Sequence, residues 1–167
     1  GRIFMTKKKI FAFGACVVAF IIVVAAVFGN LKWRATALYL GLPQPAHAVV
    51  VERNVMTPMS DGVRLAADVY RPSKPGKYPV VVTRTPYDKN NPHHKYAFTG
   101  GLFASQGLVF VCQDVRGKFA SEGEFYPYIN EGRDGHETIE WAGKQEWSNG
   151  NVGTFGFSYW GSTQWLS

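Results

Sequence analysis

Only two cysteines, Cys16 and Cys112, occur in the 167 residues. Two sulfurs exclude a disulfide framework and a thiolate metal set, because each needs several cysteines at fixed spacings. Acidic residues are missing from the first 34 positions, where six Lys and Arg stand. From Val49 onward, basic and acidic residues number twelve each, so the formal charge of +6 belongs to the N-terminal segment. Nucleic-acid binding relies on clustered cations against phosphates and loses its support once the charge is placed this way. Internal repeats and low-complexity stretches are absent, which excludes a solenoid. No acid and no histidine follows Ser158; the histidines, at 47, 93, 94 and 136, all lie upstream.

The chain is 46% hydrophobic and 15% aromatic. At this length it supports one packed domain rather than two. Residues 10–28, IFAFGACVVAFIIVVAAVF, carry no charge and no strong breaker apart from Gly14. At about 1.5 Å per residue this run matches a hydrocarbon layer about 30 Å thick, and it is longer than a secretory apolar region of about 7 to 15 residues. A membrane anchor is therefore expected, with Cys16 as a small apolar residue inside it. Arg2, Lys7, Lys8 and Lys9 precede the run and Lys32 and Arg34 follow it. The positive-inside bias then places the N-terminus in the cytoplasm and the rest of the chain outside. The alternative is secretion after cleavage near Ala46-His47-Ala48, a signal-peptidase-like triplet set unusually far beyond the apolar run.

The expected organisation is a basic flank at 1–9, the anchor at 10–28, a linker at 29–48 containing Pro43 and Pro45, and an α/β domain from 49 to 167. Val49 to Met56 is β-rich, Met59-Ser-Asp-Gly62 signals a turn, and Val63 to Tyr70 alternates apolar with polar residues. This pattern predicts an antiparallel hairpin with one wet face. PVVVTRT at 79–85 and GLVFVCQDV at 107–115 read as buried strands. Tyr96 to Ser105 and Glu131 to Gln145 read as helices, the latter with Ile139 and Ala142 turned inward. Asn151 to Phe157 reads as a third buried strand. A hairpin followed by strands alternating with helices points to an α/β sheet.

In such a sheet, reactive groups gather at the carboxyl ends of the strands. Three loops occur there: Thr85-Pro-Tyr-Asp-Lys89, Gln113-Asp-Val-Arg-Gly-Lys118 and Gly156-Phe-Ser-Tyr-Trp-Gly161. In the third, Ser158 stands where a strand turns into a helix, with Gly156 two places before it. A turn that projects a nucleophile strains its backbone, and small neighbours let strand and helix approach. Ser158 as a helix N-cap is the alternative. Asp114 and Arg116 are expected to tie loops together by ion pairing, and Glu122 and Glu124 to lie in a solvated loop.

Longer stretches carry a specific resemblance: SDGVRLAADVYRP, PVVVTRTPYDK, QDVRGKFASEGEF and DGHETIEWAGKQEWSNGNVGTFGFSYWGSTQW. From about Val55 to the end the chain resembles the cocaine esterase and X-prolyl dipeptidyl peptidase type of α/β-hydrolases, the CocE/NonD hydrolases, which include α-amino acid ester hydrolases and cephalosporin acylases. That family writes its elbow G-x-S-Y-x-G, so Trp160 followed by Gly161 fits it. The resemblance implies an α/β-hydrolase sheet, Ser158 as nucleophile, and an oxyanion hole formed by the Tyr87 hydroxyl and the Tyr159 backbone N–H. It implies a small-molecule ester, amide or Xaa-Pro peptide substrate, and no cofactor or metal.

A serine hydroxyl needs a histidine base oriented by a carboxylate, and in this fold both follow the serine in sequence. Because neither follows Ser158, the chain is expected to be an N-terminal portion of a larger enzyme and inactive alone. An order using His93 or His94 with Asp114 is the catalytic alternative, and a membrane-tethered, non-catalytic binding domain is the functional one.

Overall fold

Six consecutive buried residues, Val109–Asp114 (β4), run through the middle of a five-stranded sheet. The other strands are β1 (Val49–Pro58), β2 (Arg64–Pro72), β3 (Tyr78–Thr85) and β5 (Ser148–Thr154), in the order β1-β2-β4-β3-β5. The β1–β2 and β2–β4 pairs are antiparallel, whereas β3 pairs parallel with both β4 and β5. The helices are residues 31–40 (α1), Tyr96–Ser105 (α2), Glu131–Gly143 (α3) and Ser158–Leu166 (α4). These features come from a computed structural model that describes Val17 and residues 31–167. The arrangement is a mixed α/β sheet with helices, in line with the hydrolase-type fold expected.

Alternation along β4 explains the layering. Val109 and Val111 point to one face, where Val80, Val82, Ala67, Val69 and Ala142 of α3 pack with them. Phe110 and Cys112 point to the other, against Tyr70 and against Tyr96 and Ala104 of α2. Each fully buried valine contributes about 1.5 to 3 kcal/mol, so this double-sided strand is a main source of stability. The α2 helix lies close because Gly100 faces the Tyr70 ring, where an added Cβ would come within 2.6 Å of ring atoms.

Three sequence expectations require correction. The hairpin expected to have one wet face has none along β2, where Leu65 to Tyr70 are all buried, Asp68 included, because Ala67 and Val69 pack into one core cluster and Tyr70 into the other. The strand read as Asn151 to Phe157 and as buried is displaced toward the N-terminus, at Ser148–Thr154, and is exposed along most of its length. Tyr78 pairs with Ser148 and draws the polar Ser-Asn-Gly-Asn stretch into the ladder. Among the described strands β5 has only β3 as a neighbour, so pairing rather than β-propensity or burial sets its limits. Within the linker expected at 29–48, residues 31–40 are helical. Gly41 then stops the helix with φ of 66°, while the Leu42 N–H donates to the Ala37 carbonyl at 2.8 Å and the Gly41 N–H to that of Leu38 at 3.3 Å, a Schellman arrangement.

The chain divides into two units, Gly1–Gln44 and Pro45–Ser167. The expected anchor at 10–28 lies outside the described residues apart from Val17, as does the basic flank at 1–9. Among the described residues, no helix is long and apolar enough to cross a membrane.

Candidate active site

The parallel register aligns Thr85 at the end of β3 with Asp114 at the end of β4, and Val82 with Thr154 at the end of β5. The three loops singled out in the sequence therefore leave the same edge of the sheet. Beyond β5, the Phe155 N–H donates to the Val82 carbonyl at 3.0 Å and the Thr83 hydroxyl to the Phe155 carbonyl at 2.6 Å, and the chain then turns sharply into α4.

Ser158 is at that turn with φ of 55°, in the left-handed region, and is exposed. A non-glycine residue there costs of order 1 kcal/mol or more and persists only where its surroundings enforce it. The turn is tightly packed: Gly156 passes so close to α4 that a Cβ would sit 2.9 Å from Trp160 Cβ and 3.0 Å from its carbonyl carbon and oxygen. Ser158 is not the N-cap; Phe157 takes that position, and no side chain caps the helix. The strained-turn reading of Ser158 thus describes the geometry and the N-cap reading does not. Tyr159 follows as the second residue of α4, so its N–H is among the first-turn donors that lack an acceptor within the helix.

The Thr85–Lys89 loop is fixed at both ends. Thr85 Oγ1 accepts from the Tyr87 N–H at 3.0 Å and shares a 2.7 Å hydrogen bond with the Tyr96 hydroxyl. Lys89 is fully buried: its Nζ lies 3.4 Å from Asp68 and 3.6 Å from Asp114 and donates to Asn54 Oδ1 at 2.7 Å. Its backbone N–H donates to Asp114 Oδ1 at 2.8 Å. A bulge in β1, with Asn54 at φ of 51°, turns that carbonyl toward the lysine. Tyr87, at mid-loop, is 36% exposed, and its ring meets the Tyr159 ring edge-on at 6.4 Å. The loop expected to supply one oxyanion donor therefore touches the residue expected to supply the other.

Several neighbours make contacts at the site that were not legible in the sequence. His94 stacks on Tyr87 at 5.3 Å and meets Trp160 edge-on at 5.8 Å, although its sequence context reads as a polar loop. Asn91 caps the short turn through the His93 N–H, and Lys95 at φ of 54° completes the bend that brings His94 in. Tyr128, at φ of 66°, stacks on Tyr159 at 4.7 Å. Glu131, 3% exposed, accepts from the Tyr159 hydroxyl at 2.8 Å and from buried Arg84 at 2.8 Å. Burial and the Glu131 bond hold the Tyr159 phenol well above its ordinary value, so it stays protonated.

The remaining charges behave as structural ties. Arg116 binds Asp134 at 2.7 Å and Asp61 at 2.9 Å. Glu122 pairs with Arg64, and Glu124 accepts from the Tyr126 hydroxyl at 2.8 Å. The Asp114 carboxylate is taken up by Lys89 and the Ala120 N–H, and burial pushes it above its ordinary value. Among the described residues no histidine bonds to Asp114 and no hydrogen bond joins Ser158 to a histidine, so the order built on His93 or His94 gains no geometric support. His136 is exposed on α3. No group of three or more His, Cys, Asp or Glu among the described residues is disposed to hold a metal.

Comparison with known proteins gives a consistent picture. A family model described as X-Pro dipeptidyl-peptidase (S15 family) matches residues 61–167. Cocaine esterase from Rhodococcus sp. (strain MB1 Bresler) is 50% identical over 120 residues, covering 69% of this chain and 20% of the esterase. A CocE/NonD family hydrolase from Staphylococcus aureus superposes with a TM-score of 0.64 at 32% identity, over 71% of this chain and 25% of that one. An α-amino acid ester hydrolase superposes with a TM-score of 0.60 at 33% identity, over 75% and 24% of the two chains. The chain thus spans about a fifth to a quarter of the length of these relatives.

Proposed function

The chain belongs to the X-Pro dipeptidyl-peptidase (S15) family of hydrolases, and from that premise we propose that it carries the nucleophile and oxyanion hole of a serine hydrolase. The observation that carries this reading is Ser158 itself, an exposed serine held at φ of 55° on a strand-to-helix turn. Oγ of Ser158 attacks the carbonyl of a small-molecule ester, an amide or an N-terminal Xaa-Pro dipeptide. The alcohol or amine leaves with a proton, and water then releases the acid from the acyl-enzyme. As the carbonyl carbon becomes tetrahedral, its oxygen takes negative charge between the Tyr87 hydroxyl and the Tyr159 N–H. Each such donor lowers the barrier by about 2.7 to 4 kcal/mol.

The proton from Ser158 needs a histidine oriented by a carboxylate. We assign both to sequence beyond residue 167 of a longer protein, and on this reading residues 1–167 alone turn over no ester. We also propose that residues 10–28 tether the enzyme to a membrane with the hydrolase domain outside the cytoplasm. Retention of the full-length protein in membranes after carbonate washing, and its release when 10–28 are deleted, tests the tether.

The experiment for the activity uses the full-length protein with a fluorophosphonate probe and p-nitrophenyl butyrate. Labelling that maps to Ser158, with both labelling and turnover lost in Ser158→Ala, is the expected result. Turnover that survives Ser158→Ala would falsify the proposal.

A further inference from the structure

The catalytic reading leaves a buried acid unexplained. Glu131 is the first residue of α3 and is almost entirely buried, and a buried carboxylate is costly unless every oxygen is used. Its Oε2 and its backbone carbonyl both accept from Arg84 Nη1, at 2.8 and 3.0 Å. Its Oε1 accepts from the hydroxyl of Tyr159 at 2.8 Å. Arg84 is itself buried and held by Gln113 Oε1 at 2.9 Å, so the carboxylate is anchored in the sheet rather than in a loop.

Stability does not call for this arrangement. Arg84 also has Asp134 at 3.8 Å, and a buried ion pair is seldom more stable than apolar residues of the same volume. The geometry points to orientation. Tyr159 directly follows Ser158, so its backbone is fixed by the strained turn at one end of the residue and its phenol by Glu131 at the other. The phenol oxygen also accepts from the Tyr128 N–H at 3.2 Å, a donor presented by Tyr128 in the left-handed region. Between these ends the ring is clamped by Tyr128 at 4.7 Å, Phe125 at 6.2 Å and Tyr87 at 6.4 Å.

We infer that Glu131 is a positioning residue that aligns both oxyanion donors through the Tyr159 phenol. It sets the Tyr159 N–H by restraining the side chain of the same residue, and it sets the Tyr87 hydroxyl through the ring that Tyr87 rests against. The inference rests on the nucleophile and oxyanion assignment above. Partial burial and the Glu131 bond raise the phenol above its ordinary value, so it stays protonated and the tie persists through neutral pH.

The test compares wild type, Tyr159→Phe, Glu131→Gln and the double variant of the full-length protein. The measurements are kcat and KM on p-nitrophenyl butyrate, the fluorophosphonate labelling rate and the melting temperature. Tyr159→Phe keeps the ring and its contacts; it is expected to lower kcat and labelling about ten-fold, a part of what losing a whole donor costs, with KM unchanged and a lower melting temperature because buried Glu131 Oε1 loses its donor. Glu131→Gln keeps an acceptor oxygen and should lose less, and the double variant should match Tyr159→Phe, because the two residues act through one bond. Wild-type rates in Tyr159→Phe, or a double loss equal to the product of the single losses, overturn the inference. Should Glu131→Gln fail to fold, Tyr159→Phe decides alone. A wild-type protein that is not labelled, or turnover that survives Ser158→Ala, removes the nucleophile assignment and this inference with it.

Discussion

Tyr87 and Tyr159 meet edge to face, with ring centroids 6.4 Å apart and planes at 74°. One leaves the carboxyl end of β3 and the other opens α4, so the contact is made only when the β3–β5 pairing brings the two loops to one edge of the sheet. Edge-to-face pairs are worth about 0.5 to 1.5 kcal/mol beyond burial, which favours this arrangement without locking it. The hydrogen bonds at Thr85, Lys89 and Glu131 supply the remaining constraint.

Replacing Tyr87 by Phe in the full-length protein keeps that ring contact and removes the hydroxyl. The loss of one oxyanion donor is expected to lower kcat by about 10²- to 10³-fold with little change in KM. Steady-state kinetics on p-nitrophenyl butyrate checks this, and a change smaller than three-fold would remove Tyr87 from the oxyanion hole.

The two glycines of the elbow should respond differently to alanine. A Cβ at Gly156 would meet Trp160 Cβ at 2.9 Å and its backbone at 3.0 Å, so Gly156→Ala is expected to cost about 1 to 3 kcal/mol and to slow labelling of Ser158. At Gly161 the nearest atom is 3.6 Å away, an ordinary contact, and alanine favours the helix by up to about 1 kcal/mol. Urea unfolding of both variants measures the contrast; equal effects would contradict the steric account of the turn.

Lys89 sits between two buried carboxylates, Asp68 and Asp114. Lys89→Met fills similar volume but leaves buried Asp114 without a cation and Asp68 with Arg53 alone. A destabilisation of about 3 to 5 kcal/mol is expected from the urea midpoint. Adding Asp68→Asn and Asp114→Asn should recover part of it, and no recovery would mean that shape rather than charge governs the site.

Acid should weaken the fold through its surface pairs. Asp61, Glu122 and Glu137 are each held below their ordinary values, by hydrogen bonds from Arg116, Arg64 and Ser60 respectively. A carboxyl lowered in this way adds stability that is fully present above its unfolded value and is lost as pH falls through its folded one. The melting temperature is therefore expected to fall below about pH 4.5, the ordinary glutamate value, and to fall less steeply in Glu122→Gln. Asp114 contributes with the opposite sign because burial raises it, so the difference between wild type and Glu122→Gln is the quantity to read. Identical acid limbs would show that the Arg64 pair does not contribute.

Element order, hairpin, parallel strands and the turn at Ser158 were legible because each rests on short-range pattern: the Met59 to Gly62 turn signal, the apolar runs of β3 and β4, and glycine two places before the serine. The wet face expected from alternation in Val63 to Tyr70 was not found, since packing buries both faces of β2. Tyr96–Ser105 emerged with the limits expected, closed by Gln106-Gly107. The limits of β5 were not legible, since polar Ser148 to Asn151 became a strand only through pairing with β3. His94 likewise reads as a polar loop residue until Lys95 bends the chain and Tyr87 and Trp160 provide the rings it packs on.

Taken by itself, the sequence determined which residue types stand at the ends of which strands, and so the chemistry available: one serine on a tight turn, one tyrosine on a facing loop. Only the tertiary structure decided that Glu131 bonds the Tyr159 phenol and that Lys89 links Asp68 to Asp114. Strand alternation and turn chemistry act over a few residues and are written locally. The meeting of side chains from distant segments depends on strand register and helix packing, which are settled only when the whole sheet forms.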